Sequence, residues 1–318
     1  MNTANHTMEQ PLRSIRKKKS KLRIIAENYQ IYLMLLPCVI YFLIFAYGPM
    51  YGIQIAFKDY NTGLGIWNSH WAGLKHFSRF IHMPQFYNVL KNTLMLSLYD
   101  LVVGFPFPVL LALMLNEVTG AKYKKIVQTV TYAPHFISTV VMSAMIVLFL
   151  SPTAGFVNQI ISALGFTPIN FMAKETLFPH IYVWSGIWQH MGWGSIIYFA
   201  GLANIDPQQH ESAMLDGATR LQRIWHINLP GIAPLIVIQL ILKLGGLMGS
   251  DFEKVLLLQN SANKEYANVL ATYTYSIGIQ GGQFSLSSAI GMFSSLVNFV
   301  FIIITNMICR RLSETSLW

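Results

Sequence analysis

Charge is what this sequence has least of. Asp, Glu, Lys and Arg make up 11% of its 318 residues, against roughly 25% in a soluble domain. That is too little to cover a water-facing surface, so an ordinary soluble globular domain is excluded. Cysteine is nearly missing too. The two present lie in the first apolar run (Cys38) and at the end of the last (Cys309), so no disulfide framework is expected. No GxxxxGK[ST] phosphate loop occurs, nor a GxSxG elbow or a Cys/His metal cluster. His210-Glu211 begins an HExxH pattern, but Met214 stands where the second histidine would be. These gaps argue against an intramembrane enzyme and imply no cofactor and no metal.

Apolar residues, by contrast, are abundant at 53% and gathered into runs. The runs cover 29–57, 88–115, 126–150, 178–203, 232–250 and 286–308. Each is near the length of about 20 residues that crosses a bilayer as a helix. The reading is all-α: a polytopic membrane bundle of about six transmembrane helices.

The net charge of +9 fits membrane topology better than nucleic acid. Residues 1–28 carry Arg13, Arg16, Lys17, Lys18, Lys19, Lys21 and Arg23. The following run is far longer than the roughly 7–15 apolar residues of a signal peptide, so it reads as an uncleaved first span. Alternate segments carry Lys122, Lys124 and Lys125, then Arg220 and Arg223, then Arg310 and Arg311. The positive-inside rule therefore puts both termini in the cytosol. The expected divisions are a basic tail (1–28), a membrane domain (29–310) and a short tail (311–318). Pro106 and Pro108 are expected to kink or break the second span.

Two ionisable residues fall near mid-span, Asp100 in the second run and Lys243 in the fifth. A lone charge at that depth costs at least ~2.5 kcal/mol. An ion pair or a wet cavity would relieve it. Bracing two helices and lining a pathway are both open roles.

The polar stretch Glu211–Pro230 lies between two apolar runs. Asp206 is a good N-cap, Pro207 suits the first helical turn, and Gln209 sits where a capping box would place it. Gly217 permits a bend. A second helix from about Thr219 would carry Leu221, Ile224 and Trp225 as an apolar stripe, ending at Leu229-Pro230. This makes a cytosolic helix–turn–helix, about 206–230, with apolar side chains exposed outside the bilayer.

Here the residues carry a resemblance. Glu211-Ser212-Ala213, then Asp216-Gly217, then Ile227-x-Leu229-Pro230 resembles the "EAA" loop of permease subunits of binding-protein-dependent ABC importers. Ser212 departs from the usual Ala but is equally small. The likeness runs from about Tyr29 to Trp318. Asp216-Gly217-Ala218 and Lys91-Asn92-Thr93 resemble the carbohydrate-uptake branch. Asp251-Phe252-Glu253-Lys254 through Tyr273, and Ser316-Leu317-Trp318, resemble the subgroup importing oligosaccharides or polysaccharide fragments.

The resemblance implies a type I ABC importer permease fold in the bacterial plasma (inner) membrane. It implies that ATP hydrolysis belongs to separate ATP-binding subunits, with Glu211 making a polar contact to them and Gly217 shaping the turn. It also implies a second homologous permease and an extracytoplasmic sugar-binding (lipo)protein docked on outer segments such as 58–87 and 251–284. For a sugar pathway, Tyr99, Trp184, Trp188, Gln189, Tyr198 and Asn298 offer aromatic faces and hydrogen bonds in or near spans. The rival transport reading is a secondary transporter driven by an ion gradient, which inverted repeats would support; none is evident.

Overall fold

The protein is described by a computed structural model covering residues 27–312. The basic tail falls outside them up to residue 26, as does the C-terminal segment 313–318 with Ser316-Leu317-Trp318. The chain divides into two compact units, Met1–Ile53 and Gln54–Trp318.

Helix α1 runs Tyr29–Phe57 and makes up most of the described part of the first unit, its last four residues lying in the second. None of its Tyr29–Phe42 side chains is buried. Met34 is 83% exposed. A helix that is apolar all round and uncovered suits hydrocarbon and not water.

The second unit begins at Gln54, within the last turn of α1, and continues into a small strand motif. Strands β1 (Lys58–Asp59) and β2 (His70–Trp71) pair antiparallel around α2 (Gly65–Asn68). Helix α3 (Lys75–Ile81) follows. Lys58 ties the motif together by donating to the Ile66 carbonyl at 2.6 Å. The Asp59 carboxyl is held below its ordinary value, chiefly by hydrogen bonding from the Lys75 ammonium at 2.8 and 2.9 Å.

The bundle comprises α4 (Phe86–Glu117), α5 (Ala121–Phe136), α6 (Thr139–Phe149), α7 (Phe156–Ala163) and α8 (Phe178–Ala203). Then come α9 (Pro207–Leu215), α10 (Arg220–Gly245), the short α11 (Phe252–Leu258), α12 (Lys264–Ala267) and α13 (Leu270–Tyr275), and finally α14 (Phe284–Leu312). Among the described residues, α1, α4, α10 and α14 are long and apolar enough to cross a membrane, and α5 with α6 adds a fifth crossing if the bent pair is one span. Helix α8, with 26 residues, is long enough at about 1.5 Å rise per residue. It is less apolar because it carries His180, Gln189 and His190.

Three expectations about helix ends are corrected. Of the kink or break expected at Pro106 and Pro108, the break does not occur and α4 is continuous. The turn Asp100–Gly104 widens to a π-helix, and the Phe105 N–H reaches back five residues to the Asp100 carbonyl at 3.2 Å. The same device precedes Pro230. A π-turn over Ile224–Asn228 sends the Leu229 N–H to the Ile224 carbonyl, so Leu229-Pro230 does not stop the helix and α10 runs straight into the membrane. A proline ring displaces the carbonyl four residues back, and an i−5 turn makes room for it.

The third correction concerns the run 126–150, which is not one straight span. It bends by 102° between α5 and α6. Pro134 sits in a 3₁₀ turn (Ala133–Phe136), and Ser138 caps the next helix, its hydroxyl accepting from the Val141 N–H at 3.4 Å. The carbonyl of Ile137, freed at the elbow, accepts from Gln189 Nε2 of α8 at 3.2 Å. A polar side chain thus satisfies broken backbone at membrane depth, which is the condition for tolerating such a break.

Helix α8 is the central post. Its buried face joins one core with Leu96, Met142, Ile146, Val255 and Leu258 and another with Val109, Ala112, Leu113 and Ile232. Lipid gives helices no hydrophobic reason to associate, so close packing must supply the attraction. Gly192 shows how close. A Cβ there would overlap the Thr131 carbonyl of α5.

Candidate functional site

Two regions hold the residues singled out by sequence. The first is the loop joining α8 to α10. Asp206 caps α9 as expected, its carboxylate accepting from the Gln208 N–H at 3.0 Å. The expected capping box at Gln209 is absent. The box forms instead at α10, where Thr219 and Gln222 cap each other reciprocally. Gly217 turns the chain between them with φ +78°, a conformation that costs other residues roughly 1–2 kcal/mol.

Glu211, Ser212 and Asp216 are exposed, while Ala213, Ile227 and Leu229 are half-buried. Met214 (51%), Leu215 (90%), Leu221 (66%) and Trp225 (61%) present apolar surface on the same short segment. Leu215 and Met214 come from α9 and Leu221 and Trp225 from α10, so the Gly217 turn assembles them.

The second region is an open cavity of about 500 Å³ lined by α4, α8, α10, α11 and the segment joining the last two. Asp100 and Lys243 meet in it at 2.8 Å, and the ammonium also donates to the Asp100 carbonyl at 3.4 Å. Both side chains remain about one third exposed. The two opposite charges therefore pair and also border the open space. The π-turn at Asp100–Gly104 places the carboxylate there.

Around this pair the wall carries Ser97, Tyr182, His190, Gln239, Ser250, Asp251 and Lys254. Lys254 is 2% exposed and donates to the Tyr182 carbonyl at 3.0 Å. Burial pushes its amine down to about 8, against the pull of Asp251 and Asp100.

The aromatic and amide candidates divide. Gln189 and Asn298 are committed to backbone: the first at the elbow, the second accepting from the Met248 N–H at 2.8 Å. Tyr99 pairs with His180 through its hydroxyl at 2.8 Å. Tyr198 is buried but borders the cavity. Trp184 packs edge-on against Phe107 yet is half exposed, and Trp188 is 42% exposed.

Sequence reasoning missed Lys254 and a midspan cluster at the elbow. There His135 lies 3.2 Å from His190 and stacks flat on Trp193 at 4.6 Å. These contacts bridge 55 residues or more, and no local pattern announces them.

Comparison with known proteins decides the family. Residues 85–314 match the model for the binding-protein-dependent transport system inner membrane component. The chain belongs to this family. It is 44% identical over 303 residues to the polygalacturonan/rhamnogalacturonan transport system permease protein YteP of Bacillus subtilis (strain 168), covering 95% of this chain and 94% of that one. It is 39% identical over its full length to protein LplB of the same organism, which it covers completely.

A chain in the crystal structure of a bacterial alginate ABC transporter in complex with alginate pentasaccharide-bound periplasmic protein superposes with TM-score 0.87. The two are 41% identical, over 93% of this chain and 99% of that one. The fold is thus the type I permease fold, and the permease is an inner-membrane component that works with a binding protein.

Proposed function

We propose that this permease forms part of the membrane pathway of an ATP-driven importer for oligosaccharides or polysaccharide fragments, with acidic chains as the leading class. The observation that carries the coupling half is the exposed apolar face of Met214, Leu215, Leu221 and Trp225 beside Glu211, in a chain with no phosphate loop of its own. Exposed apolar patches outside the bilayer mark protein contacts. A separate ATP-binding subunit is the partner this reading assigns to it. The Gly217 turn joins the short α9 directly to α10, so a push on the loop passes into α10 and its Lys243.

The substrate half rests on the relatives. Polygalacturonan and alginate are both uronate polymers, and the relatives named for them share over 40% identity with this chain. A second permease would complete the pathway. A sugar-binding protein would dock on the outer motif, where Trp67 is 76% and Trp71 66% exposed. On this reading both termini lie in the cytosol, as the alternation of basic segments supports, and the membrane domain spans 29–310.

The test is reconstitution of the full complex into proteoliposomes with its binding protein. Uptake of labelled galacturonate oligomers should require ATP on the loop side and persist when ion gradients are collapsed. Uptake that follows a sodium or proton gradient without ATP would establish the secondary-transporter reading instead.

A further inference from the structure

We propose that Lys254 is the carboxylate-reading residue of the cavity, contacting the acidic group of a uronate unit as it passes. The inference rests on the carbohydrate-importer reading and deepens it by assigning the charge recognition to one side chain.

The observation is an imbalance among the four charges on the cavity wall. Asp100 and Lys243 neutralise each other at 2.8 Å. Asp251 is engaged at the start of α11, where its carboxylate accepts from the Lys254 backbone N–H at 3.3 Å, while its own N–H donates to the Tyr182 hydroxyl at 3.1 Å. The Lys254 ammonium is left with no carboxylate within 4.0 Å among the described residues. Its hydrogen-bond partner is the Tyr182 carbonyl, and the Tyr182 ring centroid lies 5.1 Å from the nitrogen.

An ammonium has three donors, and the Tyr182 carbonyl takes one, so two N–H groups are left for an incoming acceptor. Gly186 keeps the approach open, since a Cβ there would stand 3.3 Å from the Lys254 nitrogen. A charge this deeply buried is costly unless paired. Holding it unpaired at a cavity wall makes sense when the missing partner arrives with the substrate.

The chemistry points to a carboxylate and not to a neutral hydroxyl. A charge-assisted hydrogen bond is roughly twice as strong as a neutral one, and the buried amine gains most from an anion. Asp100 and Asp251 face the same space. Asp100 is already paired, so it is the negative charge of Asp251 on the same wall that keeps a bound uronate from being held too firmly.

The experiment compares galacturonate oligomers with their methyl esters, which keep the rings and remove the charge. ATP-driven uptake is measured in proteoliposomes holding the complete transporter and its binding protein, for wild type, Lys254→Met and Lys254→Arg. The expected result is a rise of about tenfold or more in KM for the acid with Met, little change for the ester, and substantial recovery with Arg. Equal loss on both substrates, or no loss on either, would overturn the proposal and leave Lys254 a brace between α8 and α11.

Should wild type refuse the ester, the Met and Arg variants decide. Loss in Met with recovery in Arg, at unchanged melting temperature of the complex, supports the assignment. Equal loss in both overturns it. Failure of wild type to take up either substrate with ATP would instead sink the underlying importer reading for this substrate class.

Discussion

The loop and the cavity are built by opposite rules. Residues 206–230 form their helices from neighbours in sequence: Asp206 caps at a distance of two residues, Thr219 and Gln222 cap each other across three, and Gly217 makes the turn. The cavity brings together Asp100 and Lys243, which are 143 residues apart, and Tyr182 and Lys254, 72 apart. The loop exposes its key side chains, and the cavity encloses them. A lesion in the loop should therefore break communication and spare the fold. A lesion in the Asp100–Lys243 pair should disturb packing first.

The largest effect expected is from Glu211→Lys. It reverses a charge on an exposed surface, so membrane insertion should be normal while uptake is lost and ATP-binding subunits fail to co-purify. Normal uptake by this variant would remove the loop from the mechanism.

Next comes the ion pair. Asp100→Asn or Lys243→Met leaves one charge alone at mid-span, where an unpaired ion costs ~2.5–3.5 kcal/mol; partial exposure to the cavity puts the effect at the lower end. The melting temperature of the complex should fall clearly in each single variant. The charge swap Asp100→Lys with Lys243→Asp should recover much of it. If the swap stays as unstable as the singles, the pair is not what holds α4 to α10.

A smaller effect is expected from Leu215→Ser. This side chain is 90% exposed, so stability should hold within about 0.5 kcal/mol. Pull-down of the ATP-binding subunit should weaken several-fold. Gly217→Ala should cost roughly 1 kcal/mol through its left-handed backbone and lower the ATPase coupling ratio without abolishing uptake. Thr219→Ala should cost about 1 kcal/mol or less, as other lost caps do, read as a small drop in melting temperature with uptake intact. An order in which Thr219→Ala outranks Asp100→Asn in destabilisation would refute the division between a locally built loop and a distantly built cavity.

The same division explains what was legible beforehand. Asp206, Pro207 and Gly217 act through the backbone within a turn or so, so their roles could be read in order along the chain. The capping box was misplaced at Gln209 because two competent boxes lie thirteen residues apart, and only the final chain path selects the Thr219 one. The proline stops were misread because a π-turn, set by how the whole helix packs, absorbs Pro106 and Pro230. Gln189 was legible as a polar mid-span residue. Its partner, the Ile137 carbonyl, was not, because the elbow that frees it depends on Pro134 and Ser138 in another span.

By itself the sequence determined the solvent. Runs of apolar residues and a shortage of charge leave the hydrocarbon layer as the medium in which this chain is stable, and the alternation of basic segments proposes its orientation. It also determined the loop, because capping and left-handed turns are local physics. Tertiary structure alone decided that Asp100 neutralises Lys243 and that Lys254 is left without a carboxylate. Those outcomes turn on distances of a few ångströms between side chains on different helices, and helix registers are fixed only when the bundle packs.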